Sequence, residues 1–123
     1  MVSIDVSRGA ELLEALEREA HLKVSVALWM SLSEFEDWRL VISSRQFDTP
    51  DPRNAYRLLH ESLSAAGVAQ KRTPAIIILP TRDPFVRELR RIFSKAKSAE
   101  GMRLGGQMIG DRFVQDAYVY RIS

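Results

Sequence analysis

The chain has 123 residues, an apolar share of 46%, a charged share of 28% and a formal net charge of +2. That length suits one domain with one real core, and the composition excludes both a disordered chain and a membrane-embedded one. The sequence contains no cysteine, which excludes disulfides, thiolate zinc sites and cysteine nucleophiles and fits a reducing compartment.

The N-terminal residues lack a basic stretch followed by an apolar run, so no secretory signal is expected. The longest apolar-rich run, residues 24–32, is interrupted by Ser25 and Ser31 and falls well short of the roughly 20 residues a bilayer span needs. A cytoplasmic location without a membrane partner is the expectation. Charge is unevenly spread: residues 1–66 hold 7 basic and 11 acidic side chains, a net −4, while residues 67–103 hold 9 basic and 3 acidic, a net +6. The basic character therefore belongs to one segment.

In chain order, residues 8–20 read as a helix. Leu12, Leu13, Leu16 and Ala20 share a face, and Ser7 is a candidate N-cap. Residues 23–32 switch to a period of two, with Val24, Val26, Leu28, Met30 and Leu32 on one side and Trp29 on the other. Residues 38–44 alternate again, and the short polar interval between the two runs predicts an antiparallel hairpin.

Asp51 and Pro52 form a cap-and-proline start for a second helix. Its inner stripe is Tyr56, Leu59, Leu63 and Ala66, and Gly67 is its stop. Residues 75–79 are continuously apolar, which predicts an interior strand covered on both faces. Asp83 and Pro84 repeat the cap signal and open a third helix running to about residue 98. A glycine-rich strand over residues 102–108, a turn at Gly110-Asp111 and a firmer strand over residues 113–122 complete the chain.

The order α-β-β-α-β-α-β-β defines an α+β fold, a single globular domain over residues 1–123. It predicts a mixed sheet of about five strands with helices packed on it. The helix joining the second and third strands makes that pair parallel.

Motifs for catalysis are missing. His21 and His60 have no ligand spacing between them, no serine sits in a Gly-x-Ser-x-Gly elbow, and the glycines at 101, 105, 106 and 110 match neither a dinucleotide fingerprint nor a phosphate loop. Glu34, Glu36, Asp37, Asp48 and Asp51 read as a solvated turn and a helix cap rather than a nuclease centre. No catalytic, cofactor or metal residue is assigned.

Two features remain. On the third helix, Arg87, Arg90, Arg91, Lys95 and Lys97 lie opposite the stripe of Phe85, Val86, Leu89, Ile92, Phe93 and Ala96, a candidate anion or nucleic-acid contact as well as an ordinary solvated face. On the strands, Trp29, Trp38, Tyr118 and Tyr120 recur, and Asp116 shares a face with Tyr118 and Tyr120. With helices on one side of the sheet only, Trp29, Asp116, Tyr118 and Tyr120 would form an interface or ligand face. With helices on both sides they would be core.

The segments Trp38-Arg39-Leu40-Val41-Ile42 and Asp116-Ala117-Tyr118-Val119-Tyr120-Arg121, with the interval between them, resemble a group of small bacterial proteins of uncharacterised function. The likeness covers the chain from about Leu22 onward. In that group the first strand more often runs into a Leu-Pro pair before the turn, where this chain has Ser31-Leu32-Ser33. The resemblance implies a bacterial, cytoplasmic origin and carries no activity over to this chain. The leading expectation is a non-enzymatic module that works through protein contacts, as a homodimer or a subunit. A nucleic-acid-binding protein using the third helix comes second, and an enzyme without a linear motif third.

Overall fold

The computed structural model describes residues 6–18, 22–31, 38–68, 75–93 and 101–122. Three helices and a mixed five-stranded sheet form a single α+β arrangement: α1 (Val6–Arg18), β1 (Val26–Ser31), β2 (Arg39–Ser43), a 3₁₀ turn (Arg45–Phe47), α2 (Pro52–Ala65), β3 (Ile76–Ile78), α3 (Pro84–Phe93), β4 (Arg103–Leu104), β5 (Gln107–Ile109), β6 (Arg112–Val114) and β7 (Asp116–Ile122). The expected order holds. Each of the last two expected strands divides in two, so that β5 and β6 leave the main sheet as a separate hairpin.

The sheet order is β3-β2-β1-β7-β4. Strands β1 and β2 are antiparallel, with Trp29 opposite Leu40, and β1 pairs antiparallel with β7, with Trp29 opposite Tyr118. Strands β2 and β3 are parallel, as the intervening helix requires.

Alternation along the strands divides the core in two. On one face Val26, Leu28, Met30, Val41, Ala117 and Val119 pack against Phe85, Val86 and Leu89 of α3 and against Ile109 and Val114 of the hairpin. On the other, Ala27, Trp29, Leu40 and Ile42 pack against Leu12, Leu13 and Leu16 of α1 and Ala55, Leu59 and Leu63 of α2. Both faces are therefore covered.

Local signals act where expected. Asp51 accepts from the Arg53 amide at the start of α2, Pro52 opens that helix, and Gly67 follows its end at φ 77°. Asp83 accepts from the Phe85 amide at 2.9 Å and so caps α3. Helix α1 begins at Val6, so Ser7 lies within it rather than at its cap.

One expectation is corrected. Residues 75–79 are not an interior strand: β3 lies at the edge of the sheet, and Ile76, Ile77 and Ile78 are each half-buried. The helices above and below explain the apolar run, since Ile76 and Ile78 pack with α2's cluster and Ile77 with α3's. Among the described residues no strand pairs with its other flank, and the sequence carries no signal for that.

Candidate interaction surface

The aromatic set is split between core and surface. Trp29 is 5% exposed and belongs to the core beneath α1 and α2. Its indole N–H donates to the Tyr120 hydroxyl at 2.8 Å, and that hydroxyl donates to the Val6 carbonyl at 2.6 Å. Tyr118 and Tyr120 meet edge-to-face with centroids 5.3 Å apart.

Toward the β4 side the face becomes polar. Arg103 bonds Asp116 at 2.7 Å and lies 5.9 Å from the Trp38 ring centroid. Asp116 also accepts from the Ala117 amide. The four residues that a one-sided sheet would have left bare thus include one core tryptophan, two half-buried tyrosines and an aspartate held by Arg103. They do not form an uncovered row.

Ligands of α/β sheets commonly bind where neighbouring parallel strands send their following helices to opposite faces. Strands β2 and β3 meet that description, since α2 and α3 pack on opposite sides. Asp48, after β2, closes the place by accepting from the Thr81 amide at 2.8 Å and from the Thr81 hydroxyl, after β3. Asp51 and Asp83 occupy the first amides of the two helices, so their carboxylates stand where an anion would bind. Arg53 holds the Asp51 carboxyl below its ordinary pKa through side-chain and backbone hydrogen bonds. Among the described residues, no group of three His, Asp or Glu side chains could hold a metal ion, and no helix is long and apolar enough to cross a membrane.

The basic helix carries its cations outward but does not leave them all free. Arg87 and Arg91 are exposed and Arg90 is half-exposed. Arg91 is bonded to Glu88, which lowers the Glu88 pKa and raises that of Arg91 through the same hydrogen bond. Lys95 and Lys97 lie outside the described residues.

Beside α3 sits the feature that the sequence reading missed. In the β5–β6 hairpin, Ile109 pairs with Arg112 and Met108 with Phe113. Ile109 and Val114 turn inward and are buried, while Met108 is 61% and Phe113 46% exposed. Opposed residues of an antiparallel pair share a face, so these two form an apolar pair on the hairpin's outer side. The signal was present: a two-residue turn at Gly110-Asp111 dictates that 109 faces 112 and 108 faces 113.

The hairpin is wedged against α3. A Cβ built on Gly110 would lie 2.7 Å from the Pro84 carbonyl oxygen and 2.9 Å from the Phe85 nitrogen. Helix and hairpin cover the same sheet face, where Phe85, Val86 and Leu89 share one core cluster with Ile109 and Val114. Comparison with known proteins found no matching family model, no similar curated protein and no similar solved structure.

Proposed function

We propose that this domain is a non-enzymatic protein-interaction module whose contact surface is the outer side of the layer formed by α3 and the β5–β6 hairpin. One observation carries the reading: Met108 and Phe113 are cross-strand neighbours, both exposed, on a hairpin whose opposite side is built into the core. Exposed apolar pairs on a rigid support are favourable contact points because burying them on binding releases water without ordering a loop.

The patch is small. Covering both side chains would bury on the order of 200 Å² on this chain, well below the roughly 800 Å² per partner of a standard stable interface. A transient partner contributing a short segment fits this size better than a stable homodimer does. A bacterial, cytoplasmic setting belongs to the proposal through the resemblance of the strand segments.

The test is a displayed random-peptide library panned on the immobilised protein, with a Met108→Ser/Phe113→Ser variant beside it. Peptides that bind the parent and lose about tenfold or more on the variant support the module reading. Peptides that bind both alike, or none at all, count against it. The variant's circular dichroism and unfolding curve should match the parent's, since both side chains are exposed.

A further inference from the structure

On the reading just given, we infer that the partner segment is acidic, with Asp or Glu side chains flanking large apolar ones. Three observations combine. Of the four large exposed hydrophobics among the described residues, Ile92 and Met102 lie within residues 67–103, which carry the net +6, while Met108 and Phe113 follow on the hairpin that packs with α3.

Asp111, in the hairpin turn, is an exposed carboxylate, and the other two nearby carboxylates are engaged. Asp83 caps α3 and faces Arg112 at 3.8 Å, and Glu88 is bonded to Arg91. Arg82 and Arg87 are exposed and Arg90 half-exposed, and none of the three makes an ion pair among the described residues. The surface is therefore left with unmatched positive charge beside an apolar pair.

The placement of these groups selects the partner's chemistry. At 100° per residue, Arg87 projects directly away from the buried stripe of Phe85, Val86 and Leu89, and Arg90 and Ile92 lie on its two flanks. Since α3 and the hairpin share a layer, a segment laid on Met108 and Phe113 would bring its own flanking side chains alongside the helix. Carboxylates there would be attracted and cations repelled, so charge sets which segments bind while the apolar pair holds them. Nucleic acid is the lesser fit. Phosphate contacts have no use for the exposed apolar pair of Met108 and Phe113.

The experiment reads the charge of what is selected. Among peptides that depend on Met108 and Phe113, an excess of Asp and Glu over Lys and Arg, relative to the unselected library, is the expected result. The best of them, labelled and titrated by fluorescence anisotropy, should bind several-fold more weakly as salt rises from about 50 to 300 mM. It should also lose about tenfold on an Arg87→Glu/Arg90→Glu variant, whereas its Lys-substituted twin should gain on that variant.

Selected peptides that depend on the apolar pair but are neutral or basic would overturn this inference and leave the module reading standing. Peptides indifferent to the apolar pair would overturn both. A labelled 20-base-pair duplex titrated in parallel supplies the remaining outcome. Tighter binding of duplex than of peptide, abolished by the arginine variant and untouched by the Met108→Ser/Phe113→Ser variant, would replace the acidic segment with nucleic acid.

Discussion

The indole nitrogen of Trp29 donates to the Tyr120 hydroxyl at 2.8 Å, and Gly9 of α1 lies directly over that bond. A Cβ at position 9 would stand 2.8 Å from the indole nitrogen and 2.8 Å from Cζ of Tyr120, and closer still to the hydroxyl. The glycine is there so that the helix backbone can approach the aromatic pair. The Val6 carbonyl receives the Tyr120 proton, which completes the link from α1 to β7. Arg121 of β7 and Glu17 of α1 form a second link through an ion pair.

In an exposed helix, replacing glycine by alanine gains up to about 1 kcal/mol. Gly9→Ala should do the opposite, costing about 1–3 kcal/mol through overpacking. Urea unfolding measures it. Tyr120→Leu removes the clashing ring at the cost of its hydrogen bonds, so Gly9→Ala on that background should cost less than on the parent. Additive effects would show that helix and ring are not in contact in solution.

Much of this architecture was legible because local and tertiary requirements agree. Asp51-Pro52 and Asp83-Pro84 both start helices, and each aspartate caps as its position predicts. The strand periods were legible too, down to Trp29 facing away from Val26, Leu28 and Met30. Lateral position was not. A strand's composition reports what covers its faces, and β3 is covered on both, so its three isoleucines read as interior although only one flank has a strand partner among the described residues. Met108 and Phe113 are not legible as an exposed pair for a related reason. Residues 102–108 and 113–122 read as two whole strands, whereas Gly105 and Gly106 turn the chain out of the sheet before β5 begins.

The edge flank of β3 has its own device among the described residues. The bonds from the Leu40 amide to the Ala75 carbonyl and from the Leu79 amide to the Ile42 carbonyl direct the alternate groups of β3 toward β2. The Ile78 amide therefore points outward, where it donates to the Tyr56 hydroxyl at 3.1 Å. Tyr56→Phe should cost about 1 kcal/mol in urea unfolding. It should also raise light scattering at high protein concentration, because an unpaired edge amide is a template for strand addition. Unchanged stability and scattering would mean that solvent serves the amide equally well.

Acid should weaken the second helix in a defined way. Arg53 holds the Asp51 pKa below its ordinary value by hydrogen bonding to the carboxylate. A lowered folded pKa means that the charged form stabilises the fold above the ordinary carboxylate range, and that this contribution disappears as pH falls through the folded pKa. Thermal unfolding between about pH 2 and 7 should therefore fall less steeply for Asp51→Asn, which keeps a capping oxygen but no charge. Asp51→Ala should lower Tm by a few degrees even at neutral pH, because the cap itself is gone. Parallel curves for parent and Asp51→Asn would remove the linkage.

The proposed surface depends on the hairpin being held in place, and Gly110 is where it is held. Its φ of 61° is left-handed, and the backbone of Pro84 and Phe85 fills the space a side chain would need. Gly110→Ala should thus incur both a conformational and a steric cost, about 2–4 kcal/mol together. Gly67 provides the comparison: it also has positive φ, at 77°, but nothing lies within 4 Å of its built Cβ. Gly67→Ala should cost only about 1 kcal/mol. A two-stranded hairpin is marginal when it stands alone, so freeing it from α3 should loosen it before the sheet. Hydrogen exchange in Gly110→Ala should accelerate at the amides of residues 107–114 more than at those of β1, and Gly67→Ala should leave the hairpin's exchange unchanged. Peptides that depend on Met108 and Phe113 should bind Gly110→Ala more weakly while binding Gly67→Ala like the parent. Equal exchange and equal binding in the two variants would show that the wedge against Pro84 does not position the contact surface.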